Sequence, residues 1–279
     1  MHVLIPGGSG LVGRSLISYL ALKNYKISVL THKKTVKKNL NFPDSIEVLK
    51  IGDPLPRVDA IINLAGARIS TYPLTKSRLK TILSSRLDMI EYLYENYKDR
   101  DISKIHFLQA SATGLYKSGN NAPYLCDENG DIDNNDYSFM CKSIERKASL
   151  HFSNVTFLRL GVVLGNGGGL VSLLKFIPRI KILGQTNYVP YILNQDLAYA
   201  LELILTRKVF GTVNLCSDKY LKVNEVLSLA QKNHPKFTLK IPGLFLKLDK
   251  RGQLLLVNQK IKPQKLLIYG FNFSQTPIL

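Results

Sequence analysis

The sequence lacks long apolar runs, and its first residues do not resemble an export signal. No stretch reaches the roughly 18 apolar residues that a membrane span requires, so no segment is expected to cross a bilayer. The start at Met1 has no basic segment followed by apolar residues and a small-residue cleavage site, which argues against secretion. Internal repeats and low-complexity tracts are also absent. We therefore expect a cytoplasmic protein with no membrane partner.

Cysteine is scarce. The three cysteines are Cys126, Cys141 and Cys216. They form neither a CxxC motif nor any other spacing typical of a metal site, and their number is odd. We interpret them as reduced thiols in a reducing compartment and predict no metal centre.

Acidic residues are also few, with 20 Asp and Glu against 38 Lys and Arg, for a net charge of +18. Such an excess would attract nucleic acid if it were gathered on one face. The basic residues are instead scattered along the chain, and charge alone specifies neither a groove nor a base contact. We interpret the excess as a lysine-rich solvated surface, so nucleic acid is not an expected partner.

What the chain does have is a repeated order of strand, helix and strand. The 279 residues are 45% hydrophobic, enough for a sizeable core. Strand patterns at 3–6, 27–31, 47–51, 60–64, 106–110 and 155–160 alternate with helical patterns, the longest at 77–97 and 138–152. This order predicts an α/β fold, a Rossmann-like doubly wound parallel sheet, with its ligand beyond the carboxyl ends of the strands.

A glycine turn joins the first strand to the first helix. Its glycines fit both Gly8-x-Gly10-x-x-Gly13 and Gly7-x-x-Gly10-x-x-Gly13. In such a turn a nucleotide pyrophosphate rests on free backbone N–H groups at the positive end of the helix dipole. Because the match follows a strand and opens a helix, the sequence predicts a dinucleotide site.

The end of the second strand indicates which dinucleotide binds. An acidic residue there would bind the ribose 2′-hydroxyl of NAD, but this chain has Thr31, His32, Lys33 and Lys34, and no carboxylate until Asp44. Cations and a hydroxyl suit a 2′-phosphate. NADP is therefore predicted in preference to NAD.

The composition changes near residue 165, at a glycine-rich stretch followed by many prolines. We expect residues 1–165 to form the NADP-binding Rossmann domain, to which residues 191–215 return. Residues 166–190 and 216–279 would form a small substrate-binding region interleaved with the sheet.

Further motifs follow the later strands: Asn63-Leu-Ala-Gly66, Ser111-Ala-Thr-Gly-Leu-Tyr116 and Arg159-Leu-Gly-Val-Val-Leu-Gly165. With them the chain resembles the extended short-chain dehydrogenase/reductases, in the NAD-dependent epimerase/dehydratase family. More narrowly, Ile82-Leu-Ser-Ser85-Arg86 and other segments resemble the YfcH-like sugar-nucleotide epimerase branch. The resemblance covers nearly the whole chain.

The resemblance implies a set of cofactor contacts in the glycine turn and after the second to sixth strands. They are Gly7, Ser9, Gly10, Leu11, Val12, Gly13, Thr31, His32, Lys33, Lys34, Asp53, Leu64, Ala65, Gly66, Ser85, Arg86, Ser111 and Val162.

The resemblance also implies a catalytic tyrosine four residues before a lysine whose charge lowers the tyrosine pKa. This chain has Tyr137 followed by Cys141, and a neutral thiol supplies no such charge. Lys142 is turned by about 100° on a helix and is expected to point elsewhere. The candidate catalytic residues are Tyr137 with a hydroxyl from Thr113 or Ser111, while Cys141 is interpreted as a small buried side chain.

Two functions remain open. The first is an NADP-dependent epimerase or reductase that transfers a hydride to or from a small molecule, with a nucleotide sugar as one candidate. The second is a non-catalytic NADP(H)-binding redox sensor or partner protein, which the missing lysine suggests. The long helices at 77–97 and 138–152 are the candidate contact of a homodimer.

Overall fold

The first strand is an inner strand of the main sheet in a computed structural model, which describes residues 1–32, 42–69, 72–165, 168–232, 237–244, 252 and 255–274. The strands are β1 (His2–Pro6), β2 (Lys26–Thr31), β3 (Glu47–Lys50), β4 (Ala60–Asn63), β5 (His106–Ala112), β6 (Tyr124–Cys126), β7 (Val155–Leu160), β8 (Val162–Leu164), β9 (Arg179–Leu183), β10 (Tyr191–Leu193), β11 (Gly211–Leu215), β12 (Thr238–Pro242) and β13 (Gln259–Ile261). The α-helices are α1 (Leu11–Leu22), α2 (Lys76–Tyr97), α3 (Asp136–His151), α4 (Gly169–Leu174), α5 (Asn194–Arg207), α6 (Val223–Ala230) and α7 (Gln264–Ile268).

Seven strands form one parallel sheet in the order β11-β7-β5-β4-β1-β2-β3. The chain runs outward from β1 to β3 and then crosses to β4 on the other side of β1. The strand order therefore reverses between β1 and β4, and a ligand is expected at the carboxyl ends of these strands. The predicted fold class, a Rossmann-like doubly wound sheet, is confirmed.

Both faces of the sheet are covered, which explains why its central strands are apolar without alternation. Val3, Leu4 and Ile5 of β1 are all fully buried. One face packs under α1 and α5, with Leu16 and Leu201 in the same core cluster as Val3. The other face packs under α2 and α3.

Side-chain caps fix where the two long helices begin. Thr75 accepts a hydrogen bond from the backbone N–H of Arg78 at the start of α2. Asn135 Oδ1 accepts from the N–H groups of Tyr137 and Ser138 at the start of α3, at 3.0 and 2.9 Å. Both helices begin within two residues of the predicted positions, and Tyr137 lies in the first turn of α3.

The later part of the chain forms short parallel pairs outside the main sheet: β8 with β10, β9 with β12, and β6 with β13. A separate apolar cluster joins residues of β8, β9, β10 and α6, including Leu164, Ile182, Tyr191 and Val226. In contrast, β11 returns to the main sheet beside β7. The proposed domain boundaries stay a prediction.

Within the described ranges, no helix combines the length and the apolar character needed to cross a bilayer.

Candidate functional site

The glycine turn after β1 is tightly packed against the end of β4. Gly7 has a φ of +78°, and a Cβ there would lie 2.7 Å from the backbone of Leu64 and Ala65. A Cβ at Gly13 would lie 2.5 Å from Gly8 Cα, so the first turn of α1 packs directly on the loop. Side chains at positions 7 and 13 would therefore push the turn out of place.

Gly10 is different, because a Cβ there would meet only the Gly7 carbonyl oxygen, at 3.4 Å. Packing inside the protein does not require a glycine at this position. In the described part of the chain, the N–H groups of Leu11, Val12 and Gly13 have no acceptor, and no side chain caps α1. The turn thus offers free amides and open space at a positive helix end, which fits a pyrophosphate.

The carboxyl end of β4 continues this surface. Asn63 is fully buried, donates to Gln109 Oε1 at 2.8 Å and accepts from the Ala65 N–H at 3.2 Å. These bonds fix the backbone of Leu64, Ala65 and Gly66, which lies beside the glycine turn.

Two residues of α2 hold the segment that follows. Ser85 accepts from the Ala67 N–H at 2.9 Å and donates to the Ile82 carbonyl. Arg86 Nη1 donates to the carbonyl oxygens of Ala67 and Ile82, at 3.2 and 2.9 Å. Both side chains therefore connect α2 to the end of β4.

The residues expected near the cofactor adenosine lie at the ends of β2 and β3. Thr31 is 5% exposed, and its hydroxyl donates to the Leu49 carbonyl at 3.3 Å, whereas His32 is exposed. Asp53 Oδ2 accepts from the Lys50 N–H at 2.8 Å and so closes the turn after β3. Lys33 and Lys34, on which the NADP prediction depends, lie outside the described residues.

A buried polar network begins at the end of β5. Ser111 donates to Glu145 Oε1 at 2.7 Å, and Glu145 pairs with Arg159, with Nη2 to Oε2 at 2.9 Å. Arg159 Nη1 donates to the Tyr116 hydroxyl, which donates to Asn214 Oδ1, both at 2.8 Å. The network links β5, α3, β7 and β11 just behind the candidate site.

Burial and neighbouring charges shift the pKa values of Tyr116 and Arg159 in this network. Burial raises the pKa of Tyr116, although the Arg159 charge opposes the rise. Burial alone would lower the pKa of Arg159, but its hydrogen bonds to Glu145 and the Glu145 charge outweigh this and raise it. Tyr116 is therefore a neutral phenol at physiological pH, and its hydroxyl links Arg159 to Asn214.

Cys141 occupies the position at which a lysine was expected. It is 3% exposed, and burial raises the pKa of its thiol to about 11, with the Glu145 charge adding to the rise. The thiol is therefore neutral. Lys142, the next residue, is exposed and does not replace the missing charge.

The three candidate catalytic side chains lie at the ends of β5 and α3. Ser111 is 8% exposed and is bound to Glu145, as described above. Thr113 is 5% exposed and donates to the Leu160 carbonyl at 3.2 Å. Tyr137 lies one turn before Cys141 and is partly exposed. Their catalytic roles stay a proposal.

One of the predicted cofactor contacts, Val162, lies in the later part of the chain. Val162 begins β8, and its N–H donates to the Pro190 carbonyl at 2.8 Å. A substrate with a diphosphate group would require basic side chains, for which Arg179, Lys181, Lys247 and Arg251 are candidates. Arg179 and Lys181 lie on β9, where Arg179 Nη2 donates to the Lys232 carbonyl at 3.1 Å. The other two, Lys247 and Arg251, lie outside the described residues.

Sequence reasoning did not find the Glu145–Arg159 pair or Asn214. A signal was present, since Arg159 is the one charged residue in the apolar strand Val155–Leu160, and a charge in such a strand needs a partner. The identity of the partner depends on how α3 packs, which no local pattern shows.

The sheet order, the glycine turn at the switch point and the free amides of α1 together define a Rossmann-type nucleotide-binding protein. The sequence profile of the NAD dependent epimerase/dehydratase family matches residues 3–216. The chain therefore belongs to this family, as its motifs predicted. The narrower assignment to the YfcH-like branch stays a prediction.

Similar proteins extend over almost the whole chain. An epimerase family protein of Staphylococcus saprophyticus is 26% identical, covering 98% of this chain and 95% of its own. Epimerase family protein YfhF of Bacillus subtilis is 24% identical, covering 100% and 95%. The chain thus has about the same extent as these relatives.

Solved structures show the same fold. The human epimerase family protein SDR39U1 with NADPH has a TM-score of 0.82 at 22% identity, covering 99% of this chain and 95% of that one. Thermus thermophilus UDP-glucose 4-epimerase with NAD has a TM-score of 0.74 at 17% identity, covering 98% and 94%. The protein accordingly has the NAD(P)-binding oxidoreductase fold of the epimerases and dehydratases.

Proposed function

We propose that this protein is an NADP-dependent oxidoreductase of the epimerase or reductase kind, acting on a small carbonyl or hydroxyl compound. The observation that carries the proposal is the glycine turn, whose free amides and open space at Gly10 lie at the topological switch point. A bound nicotinamide would accept or return the hydride. Cofactor contacts are assigned to the turn, to Leu64, Ala65 and Gly66, and to the other residues named from the sequence.

We assign the proton transfer that accompanies hydride transfer to a hydroxyl group of the chain. Tyr137 is partly exposed at the start of α3 and is the first candidate for the acid or base. The Ser111 and Thr113 hydroxyls already donate their hydrogens, to Glu145 and Leu160, so each is left to accept a hydrogen bond from substrate. We therefore assign the proton transfer to Tyr137 and the positioning of substrate to Ser111 and Thr113.

An assay of substrate conversion tests the proposed oxidoreductase activity. Purified protein with NADPH or NADP is assayed over a panel of nucleotide sugars and small carbonyl compounds. We expect at least one compound to be converted, and Tyr137→Phe to abolish conversion while cofactor binding persists. The similarity to a UDP-glucose 4-epimerase places nucleotide sugars first in the panel.

The preference for NADP is tested separately. The proposal is supported by the exposed His32, by the absence of a carboxylate from Thr31 to Phe42, and by the similarity to a structure with NADPH. Calorimetric titration is expected to show tighter binding of NADP than of NAD. Replacing Lys33 and Lys34 by Glu is expected to remove the difference, and equal affinities in the unaltered protein would refute the preference.

A second function, a non-catalytic NADP(H) sensor or partner protein, is favoured by one observation. The residue four positions after Tyr137 is a neutral, buried thiol. Cofactor binding without turnover over the whole panel, in protein that is fully folded, would favour this second function.

We also propose that α2 and α3 pair two copies of the chain. Phe139 and Leu150 of α3 are 66% and 70% exposed, and helices use such apolar side chains to pack against a partner. Light scattering is expected to give the mass of a dimer, and replacing both residues by Ser is expected to give the monomer. The cytoplasm remains the predicted compartment, on the basis of the cysteines.

A further inference from the structure

A cavity of about 610 Å³ lies at the edge of the main sheet that is opposite the glycine turn. Ala60 and His106, which begin β4 and β5, line it, and so do Met1, Asn154 and Phe210, which directly precede β1, β7 and β11. Because the strands are parallel, all of their amino ends meet at this edge, whereas the dinucleotide is expected at the carboxyl ends. The cavity is therefore separate from the proposed cofactor site.

The size of the cavity suits a small organic molecule. Pockets that bind such molecules measure about 300–1,000 Å³, and a water molecule occupies only about 30 Å³ of the liquid. Ala60, Leu205 and Phe210 supply apolar walls. The cavity thus has room for a ligand with a short carbon chain.

One ring nitrogen of His106 has no partner. The residue is 7% exposed. Thr156 donates its hydrogen to the Val209 carbonyl at 2.6 Å, so Thr156 accepts from His106 Nε2 at 2.7 Å. Burial lowers the pKa of His106 to about 4, and the neutral ring therefore has its proton on Nε2 and a lone pair on Nδ1. Nδ1 is buried, and no donor among the described residues binds it.

A buried acceptor without a donor is unfavourable and is uncommon in folded proteins. A hydroxyl or N–H group of a molecule in the cavity would satisfy His106 Nδ1. Nδ1 is covered by neighbouring atoms, so a ligand reaches it when a side chain of the cavity wall turns aside. Lys208 and Phe210 are exposed and can do so, and the Phe210 ring packs edge-on against the His106 ring with centroids 4.7 Å apart.

The charged side chains of the lining favour an anion. They are the cations Lys104 and Lys208 and the carboxylate of Asp59, which already accepts from the His2 N–H at 2.6 Å. Lys104 pairs with Asp101, at 2.6 Å. Lys208 is exposed, and in the part of the chain that the structure describes no carboxylate lies within 4.0 Å of its ammonium group. Lys208 is thus the cation that is left to bind a ligand.

We propose that this cavity is a binding site for a small organic anion that carries a hydroxyl group. The hydroxyl donates to His106 Nδ1, the carboxylate or phosphate of the same molecule binds Lys208, and the carbon chain contacts Leu205 and Phe210. The site goes beyond the proposed function, because it lies at the other edge of the sheet and requires no dinucleotide.

Two pairs of probes, each differing by one hydroxyl group, test the site. They are 3-hydroxybutyrate with butyrate, and 2-hydroxypropyl phosphate with propyl phosphate, each titrated to about 10 mM and followed by NMR of the His106 ring nitrogens. We expect at least one hydroxylated anion to bind and to shift the Nδ1 resonance, and its partner without the hydroxyl to bind about tenfold more weakly. The pair that binds identifies the anion as a carboxylate or a phosphate.

Single substitutions test the two contacts. His106→Gln keeps a donor for Thr156 but removes Nδ1, so it is expected to abolish the tenfold difference within the pair. Lys208→Gln is expected to weaken both members of the pair by about tenfold and to retain the difference between them. Lys80→Gln, at an exposed lysine of α2, is the matched control and is expected to change neither affinity.

Circular dichroism verifies that each variant is folded. Should His106→Gln not fold, the Nδ1 resonance of the unaltered protein and the exposed Lys208→Gln variant decide the question. The proposal is refuted if none of the four probes binds, if the two members of each pair bind equally well, or if Lys208→Gln has no more effect than Lys80→Gln. NADPH affinity is expected to be the same in the His106 and Lys208 variants as in the unaltered protein, so a failure to bind NADPH would concern the proposed function alone.

Discussion

Glu145 and Arg159 form a two-pronged ion pair inside the protein, with Oε1 to Nε at 3.0 Å and Oε2 to Nη2 at 2.9 Å. Their side chains are 11% and 7% exposed. Ser111 adds a third hydrogen bond to the carboxylate, and Tyr116 accepts from the remaining end of the guanidinium. The pair thus joins α3, which carries Tyr137, to β7, and the Ser111 hydrogen bond joins the same carboxylate to the end of β5.

Breaking this pair is expected to destabilise the protein strongly. Glu145→Gln leaves the Arg159 charge buried without a partner, and the free energy of unfolding should fall by about 3–5 kcal/mol. Urea unfolding followed by circular dichroism measures the change. Glu95→Gln removes the exposed pair with Lys98 and is the control, expected to have little effect. A small loss from both variants would contradict the importance assigned to the buried pair.

Two glycines of the turn are expected to differ in what they control. Gly7→Ala forces a left-handed conformation and a contact with the β4 backbone, so stability should fall by at least about 1–2 kcal/mol. Gly10→Ala meets only one carbonyl oxygen inside the protein and should leave stability nearly unchanged while weakening NADPH binding by about tenfold or more. Thermal unfolding and calorimetric titration of both variants make the comparison. Unchanged NADPH affinity in Gly10→Ala would refute the assignment of the phosphate site.

His106 is expected to make the protein sensitive to acid. Thr156 donates its hydrogen to the Val209 carbonyl, so it accepts from His106 Nε2, and burial lowers the His106 pKa to about 4. The unfolded chain binds this proton below about pH 6.5, so stability is full above that pH and decreases as the pH falls toward 4.

His106→Gln removes the titrating group while retaining a donor for Thr156. The loss of unfolding free energy between pH 7 and pH 4 should be smaller in this variant by about 3 kcal/mol, as measured by urea unfolding at both values. The same pH dependence in both proteins would contradict the depressed pKa.

The cap of α3 is expected to stabilise the helix that carries Tyr137. Asn135→Ala removes the acceptor for the Tyr137 and Ser138 N–H groups, and stability should fall by about 1 kcal/mol. Asn135→Asp keeps an acceptor at a favourable helix end and is expected to retain the stability. If the two variants unfold alike, the cap has no energetic role.

The parts of the fold that the sequence predicted are those set by neighbouring residues. The glycine turn, six of the seven strands of the main sheet and the two long helices have local signals, namely apolar runs, helical spacing and a turn motif. Their arrangement then follows from the handedness of parallel crossovers.

Local sequence signals do not predict the pairing of short strands that are far apart in the sequence. The strand β13 pairs with β6, and β12 pairs with β9, although each is only three to five residues long and far from its partner in sequence. The hydrogen bond from Arg86 Nη1 to the Ala67 carbonyl is equally non-local, since it depends on the packing of α2 on the segment after β4. No periodicity in the sequence indicates these features.

The bond from Tyr116 to Asn214 joins residues 98 positions apart, and Asn214 Nδ2 in turn donates to the Lys262 carbonyl at 3.2 Å. Gln259 Nε2 also donates to the Tyr116 carbonyl, at 2.9 Å. During synthesis, the chain must therefore leave the ribosome beyond residue 262 before these hydrogen bonds can form. The glycine turn is synthesised first and the residues that complete these hydrogen bonds last, so a nascent chain can form the glycine turn well before the polar network around Tyr116 is complete.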